Sequence, residues 1–242
     1  MPQEGEQLSM FKIWLIILLS VCYLPVNAKP PANFTEAKKA AQIIWSEHRQ
    51  TFYCGCDYSK EGNIQFKGCN FHPHDPRKSK RISWEHVVPV SWYGKTLPCW
   101  RNKQCYSKNQ RHLRGRACCQ KVDPKFRAME ADLHNLVPAI REINAARSNY
   151  AFTEFTWLKT KQHYYYQGCP IIIDEQARLV EPSDEVKGMI ARIQLYMIAK
   201  YDIPVSYKQR KLLQRWDKQF PAGEWELRWN QKVESVYREG KR

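Results

Sequence analysis

Trp84-Glu85-His86-Val87-Val88-Pro89 sets a carboxylate and an imidazole side by side at the end of an apolar run. Met129-Glu130-Ala131-Asp132-Leu133-His134-Asn135-Leu136-Val137-Pro138 sets Asp132, His134 and Asn135 at the head of a second one. Polar side chains in such company cost roughly 1–3 kcal/mol each if buried without partners. A single Glu-His pair is more often a satisfied structural pair than a site; two such clusters in one chain shift the balance toward chemistry. Neighbours on a regular strand face opposite ways. Glu85 and His86 therefore reach one site only where the strand bends or ends, and Pro89 supplies that end. If Glu85 points away, a metal would lean on Asn135 and waters instead.

Working outward, Arg81 to Pro89 reads as a strand. Ala128 to Ile143 has helix-like spacing (Leu133, Leu136, Val137, Ile140, Ile143), with Pro138 arguing for a kink or break. Between them, residues 92–125 carry nine basic residues (Lys95, Arg101, Lys103, Lys108, Arg111, Arg114, Arg116, Lys121, Lys125) against Asp123, with four cysteines and little apolar periodicity. That pattern predicts a long basic loop stapled by disulfides. Upstream, Thr35 caps a helix over 36–48, and Thr51 to Phe71 reads as short strands and cysteine-tied turns. Downstream, Ile171–Ile173 and Arg178–Val180 form a strand pair. Ser183 and Ser206 open amphipathic helices, and the tail from Glu224 is helical. The expected fold class is α+β: a mixed domain with a small central β-region and flanking helices, stapled by disulfides.

The termini and composition narrow the setting. Phe11 to Leu24 is apolar except for Lys12, Ser20 and Cys22, too short for a membrane span and right for a signal-peptide core. Val26 and Ala28 fit a cut after Ala28. Residues 1–28 are thus read as a leader, with Met10 as the alternative true start because Glu4 and Glu6 are acidic where a leader is basic. Residues 29–242 are read as a single domain, with no stable membrane insertion after processing. Loss of the leader leaves Cys54, Cys56, Cys69, Cys99, Cys105, Cys118, Cys119 and Cys169, an even set that in an exported chain reads as four disulfides of undetermined pairing. Zinc is disfavoured, since Cys54-x-Cys56 and Cys118-Cys119 lack the usual ligand gaps. The 43% hydrophobic content excludes a disordered chain, and ten glycines exclude a collagen-like one. A formal charge of +15 points to a polyanionic partner.

A strand-borne His86 followed, some 50 residues on, by a helix-borne Asn135 predicts a ββα metal finger, in which the imidazole activates water and the helix residue helps hold a metal. EHVVP, the basic cysteine-rich loop, and DLHNLVP followed by INAARSN together resemble the bacterial endonuclease I family of periplasmic or secreted nucleases, whose ββα metal finger belongs to the His-Me finger superfamily. The resemblance runs over roughly residues 34–230. It implies His86 as general base, Glu85 and Asn135 as metal ligands, and Arg116 as the arginine on the scissile phosphate, with Arg114 as its neighbour and competitor. It also implies one divalent metal ion, Mg²⁺ first with Mn²⁺ or Ca²⁺ as other occupants, four disulfides, and cleavage leaving 5′-phosphate ends. The family's asparagine-rich ending is missing here.

Other candidates are His134, Asn144 and Arg147 as supports of the site or phosphate contacts, the turn His72-Pro73-His74-Asp75 as a metal site, and Arg77-Lys78-Lys80-Arg81 as a phosphate grip. The reading is an exported, monomeric, metal-dependent, non-specific endonuclease acting on DNA and RNA. Its binding through phosphates would weaken with salt, and its aromatics would be able to stack on single strands. The alternative is a cationic exported protein that coats nucleic acid or envelope polymers without cutting.

Overall fold

The computed structural model describes residues 30–102 and 105–239. Helix α1, Phe34–Ile44, starts at Asn33, not Thr35: the Asn33 side chain accepts from the backbone N–H of Thr35 and Glu36, and Glu36 reaches back to Ala32 N and Asn33 Nδ2. This reciprocal cap satisfies donors that a helix start leaves free. α1 buries Ala37, Ala41 and Ile44, with Trp45 in the following 3₁₀ turn.

After a cysteine-tied stretch of turns and isolated bridges comes the short α2, Pro76–Ser79, and then the strand β1, Ile82–His86. The strand stops at His86, three residues before Pro89. The stretch expected to be a basic loop is instead a set of short elements: α3 (Val90–Gly94), α4 (Pro98–Arg101), a small hairpin of β2 (Cys105–Tyr106) with β3 (His112–Leu113), α5 (Gly115–Val122) and α6 (Pro124–Glu130). Prolines at the first turn of α4 and α6 cost no hydrogen bond there, which is why so polar a segment still turns helical.

The expected helix over 128–143 is the main correction. α6 ends at Glu130, a 3₁₀ turn covers Leu133–Asn135, and Leu136–Ile140 is strand β4, followed at once by α7, Arg141–Arg147. β4 is buried at every position and so reads as a continuous apolar run, which periodicity cannot tell from a buried helix. Pro138 decides the matter physically, because it removes a helical N–H; its carbonyl accepts from Phe52 N at 2.7 Å. β4 pairs antiparallel with β1, from Ile82↔Ile140 to His86↔Leu136. β1, β4 and α7 are the ββα unit, assembled across about 50 intervening residues.

A second sheet has the order β5 (Ala151–Phe152), β7 (Leu179–Pro182), β6 (Ile171–Asp174), with β5 parallel and β6 antiparallel to β7. Three helices close the chain: α8 (Asp184–Tyr201), α9 (Tyr207–Gln219) and α10 (Glu224–Glu239). Ser206 Oγ caps α9 through Gln209 N. α8 lies close under the end of α9: a Cβ on Gly188 would stand 2.1 Å from the Phe220 carbonyl oxygen. The fold is α+β. The expected leader, residues 1–28, with the alternative start at Met10, lies outside the described residues; among those described, no helix is long and apolar enough to cross a membrane.

Among the described residues all eight cysteines are paired: Cys54–Cys169, Cys56–Cys69, Cys99–Cys119 and Cys105–Cys118. The first spans 115 residues and ties the turns after α1 to the segment before β6. Cross-linking lowers unfolded-state entropy more for longer loops, so Cys54→Ser/Cys169→Ser should cost about 3–5 kcal/mol. Guanidinium unfolding should show a larger loss than for Cys56→Ser/Cys69→Ser, whose loop spans 13 residues. Equal losses would contradict the loop-entropy account.

Candidate active site

Glu85 and His86 are the last two residues of β1, and both are buried, 3% and 6% exposed. They have separate sets of partners, as strand alternation requires. The Glu85 Oε1 atom lies 3.0 Å from Arg147 Nη1 and accepts from Tyr53 OH at 3.3 Å. Burial pushes the Glu85 carboxyl up to about 7, with the Arg147 charge opposing. Arg147 is fully buried on α7. It also donates to the carbonyls of His86 and Val87, at 3.2 and 2.7 Å, and lies over the Phe152 ring. One guanidinium thus fixes both the Glu85 carboxylate and the backbone where β1 ends.

His86 turns to the other side. Its Nε2 is 2.9 Å from the Glu130 carbonyl oxygen. A carbonyl only accepts, so Nε2 carries the proton and Nδ1 keeps its lone pair. Burial pushes the imidazole down to about 3, opposed by the hydrogen bond to Glu130 and aided by the charges of Arg116 and Arg147. Burial thus favours the neutral ring, whose Nδ1 lone pair is left to accept a proton.

Arg116, on α5, ion-pairs with the buried Glu130 carboxylate and lies 4.9 Å over the Phe34 ring. Phe34 in turn stands 4.8 Å from the His86 ring. Gln120 donates to both Glu130 oxygens. α1, β1, α5 and α6 therefore meet at one spot, where a neutral imidazole and a 42%-exposed guanidinium flank a single phenyl ring. The disulfides Cys99–Cys119 and Cys105–Cys118 hold the α5 turn that carries Arg116.

Asn135 is not a metal ligand in this arrangement. It is 0% exposed; its Oδ1 accepts from Val88 N at 2.7 Å and its Nδ2 donates to Val88 O at 3.0 Å. Both ends of the amide are consumed in pinning the bend after β1, and the residue sits on a 3₁₀ turn, not a helix. The asparagine on the helix of the ββα unit is Asn144. Its Nδ2 donates to Ser83 Oγ (2.9 Å) and to Trp84 O (3.4 Å), which leaves its carbonyl oxygen as an acceptor beside the residue preceding Glu85. Asn144 and Arg147, three apart, share the α7 face turned to β1.

The remaining candidates are dispersed. His134 is buried away from this spot, between Asp132 and Glu234. Arg114 is the exposed N-cap residue of α5. Asp75 caps α2 and its N–H is held by Glu142, so the His72–Asp75 turn has a structural role. Among the described residues, no group of three or more His, Cys, Asp or Glu gathers as a metal site. Glu85 and Asn144 are the oxygen-bearing side chains on β1 and α7 that could contribute to holding a hard divalent ion, with water and substrate completing its shell. Phe34, Tyr53 and Glu130 were not singled out from sequence. Glu130 lies inside the second motif, and its neighbourhood to Asp132 was the available signal.

Residues 32–240 match the family model described as Endonuclease I. An extracellular deoxyribonuclease of Aeromonas hydrophila is 37% identical over 215 residues, covering 87% of this chain and 86% of its own. A periplasmic deoxyribonuclease of the same organism is 34% identical over 237 residues, covering 96% and 92%. Endonuclease-1 of Buchnera aphidicola subsp. Baizongia pistaciae is 37% identical over 198 residues, covering 80% and 75%.

Proposed function

This chain belongs to the endonuclease I family, and from that membership we propose that it is an exported, metal-dependent endonuclease hydrolysing phosphodiester bonds of DNA, and of RNA as well, without sequence preference. The observation that carries this reading is the proton-free Nδ1 of His86, fixed by the Glu130 carbonyl, with Arg116 across the Phe34 ring.

His86 Nδ1 takes a proton from water, and the resulting hydroxide attacks phosphorus. The P–O3′ bond breaks, O3′ takes a proton from solvent water and the imidazolium returns its proton to solvent, leaving a 5′-phosphate and a 3′-hydroxyl. General-base action of this kind is worth roughly 10²–10⁴ in rate. Arg116 presents a permanent charge in a planar fork to the phosphate oxygens, its second face steadied by Glu130 and Phe34. A divalent cation, Mg²⁺ first with Mn²⁺ or Ca²⁺ as other occupants, would supply charge neutralisation at the phosphate and leaving oxygen, held by Glu85 and Asn144. Arg147 and Tyr53 keep the Glu85 carboxylate in place. Asn135 does not enter the chemistry.

The names of the relatives, extracellular and periplasmic, and four disulfides support export to an oxidising compartment. The protein acts as a monomer. Purified mature protein should nick supercoiled plasmid with Mg²⁺ and stop when EDTA is added. Nucleic-acid affinity should fall roughly 10³-fold between about 50 and about 200 mM salt. Tight binding without cleavage would leave the cationic coating protein as the answer; cleavage indifferent to EDTA would remove the metal.

A further inference from the structure

We propose that Asp132, with Tyr196, Tyr201, Tyr237 and Lys200, is a positioning cluster through which α8 and the C-terminal α10 hold the catalytic imidazole and arginine in register. The inference rests on the reading of His86 and Arg116 given above.

Asp132 is 1% exposed. Its Oδ2 accepts from Tyr201 OH (2.7 Å), Lys200 Nζ (2.8 Å) and Tyr196 OH (3.1 Å). Its Oδ1 accepts from His134 N (3.0 Å) and Tyr237 OH (3.4 Å) and lies 3.1 Å from His134 Nδ1. The Lys200 ammonium is ringed by the tyrosines, 5.1, 5.0 and 5.2 Å from the rings of Tyr201, Tyr196 and Tyr237. Tyr237 OH also accepts from Leu133 N at 3.0 Å. A carboxylate has about four lone-pair directions, and these are more donors than its solvation requires. The tyrosines and the lysine come from 64 to 105 residues downstream, so the cluster fixes one short segment against two distant helices.

That segment is the one the site hangs on. Two residues before Asp132, the Glu130 carbonyl sets the tautomer of His86, and the Glu130 carboxylate holds Arg116. Three residues after it, Asn135 pins the bend behind β1. A shift of Asp132 is transmitted through one intervening residue, Ala131, to both His86 and Arg116. Displacements on the order of 1 Å can cost about 10²-fold in rate when the displaced groups do chemistry.

Tyr201→Phe and Tyr237→Phe each delete one hydroxyl from the mature full-length protein at constant ring volume; Asp132→Asn removes the charge. For the two Phe variants, kcat on a short duplex should fall roughly 10-fold with KM unchanged within about twofold. In ¹⁵N-histidine spectra, the His86 Nε2–H signal should exchange faster with solvent. Loss of thermal stability with unchanged kcat and an unchanged His86 signal in both Phe variants would reduce the cluster to a purely structural one and overturn the proposal. The imidazole spectrum does not depend on turnover. If His86→Ala stays active, the general-base reading fails, and the spectrum still decides the positioning claim.

Discussion

His86→Ala should lower kcat by roughly 10²- to 10⁴-fold while the protein stays folded and still binds nucleic acid. The imidazole offers a proton acceptor not tied to the protein: Nε2 is spent on the Glu130 carbonyl, and burial favours the neutral ring. Alanine removes that acceptor and leaves the Glu85–Arg147 pair and the β1–β4 register untouched. The ring's contact with Phe34 is lost, which costs packing energy on the scale of a partial cavity, about 1–2 kcal/mol. The check is single-turnover cleavage alongside urea unfolding and a gel-shift assay. Activity within tenfold of the parent, at equal stability, would rule out His86 as the base. Full loss of folding would make the variant uninformative for catalysis, and His86→Asn, closer in shape, would then be the test.

Arg147→Met should lower stability by about 3–5 kcal/mol, because it strands a buried carboxylate. Arg147 is 0% exposed and is the only cation within salt-bridge distance of Glu85 among the described residues. The loss should depend on pH, with a definite sign. The folded-state value of Glu85 is already raised to about 7 by burial, so ionising it in the folded protein costs stability as pH rises from the ordinary carboxylate range toward neutrality. Without the guanidinium the carboxyl moves further up, and the penalty grows: the variant should be weaker relative to the parent at pH 8 than at pH 5. Glu85→Gln/Arg147→Met should recover part of the difference, since the stranded charge is gone. Urea unfolding of the parent, Glu85→Gln, Arg147→Met and the double variant in EDTA measures this cycle. Equal losses at both pH values would show that the ion pair is not what Arg147 contributes.

Local patterns carried a good deal of this. The helices after Ser183 and Ser206 were readable because apolar spacing acts within a few residues; the Ser206 side chain caps its helix, whereas Ser183 makes no side-chain cap bond. So was the strand pair at Ile171 and Val180, and so was an even set of cysteines in a chain with a leader-like start. The two motifs supply Glu85, His86 and Glu130, which the structure brings together. Asn135 reads from sequence as a ligand, and the structure engages its amide otherwise. An asparagine amide is indifferent until its partners are known, and here the Val88 backbone takes both its ends. Once Leu136–Ile140 proved to be strand and not helix, the helix of the finger moved on to Arg141–Arg147 and brought Asn144 with it.

Residue order alone determined the α+β class, the cationic character, the oxidised cysteines, and the placing of an imidazole at a strand end. These depend on composition and on periodicities a few residues long. Tertiary structure alone decided which cysteines pair, which nitrogen of His86 is free, which asparagine faces β1, and how Tyr237 comes to stand against Asp132 from 105 residues away. Each of those is a contact between chain segments whose meeting depends on the packing of the whole core, and no local window contains it.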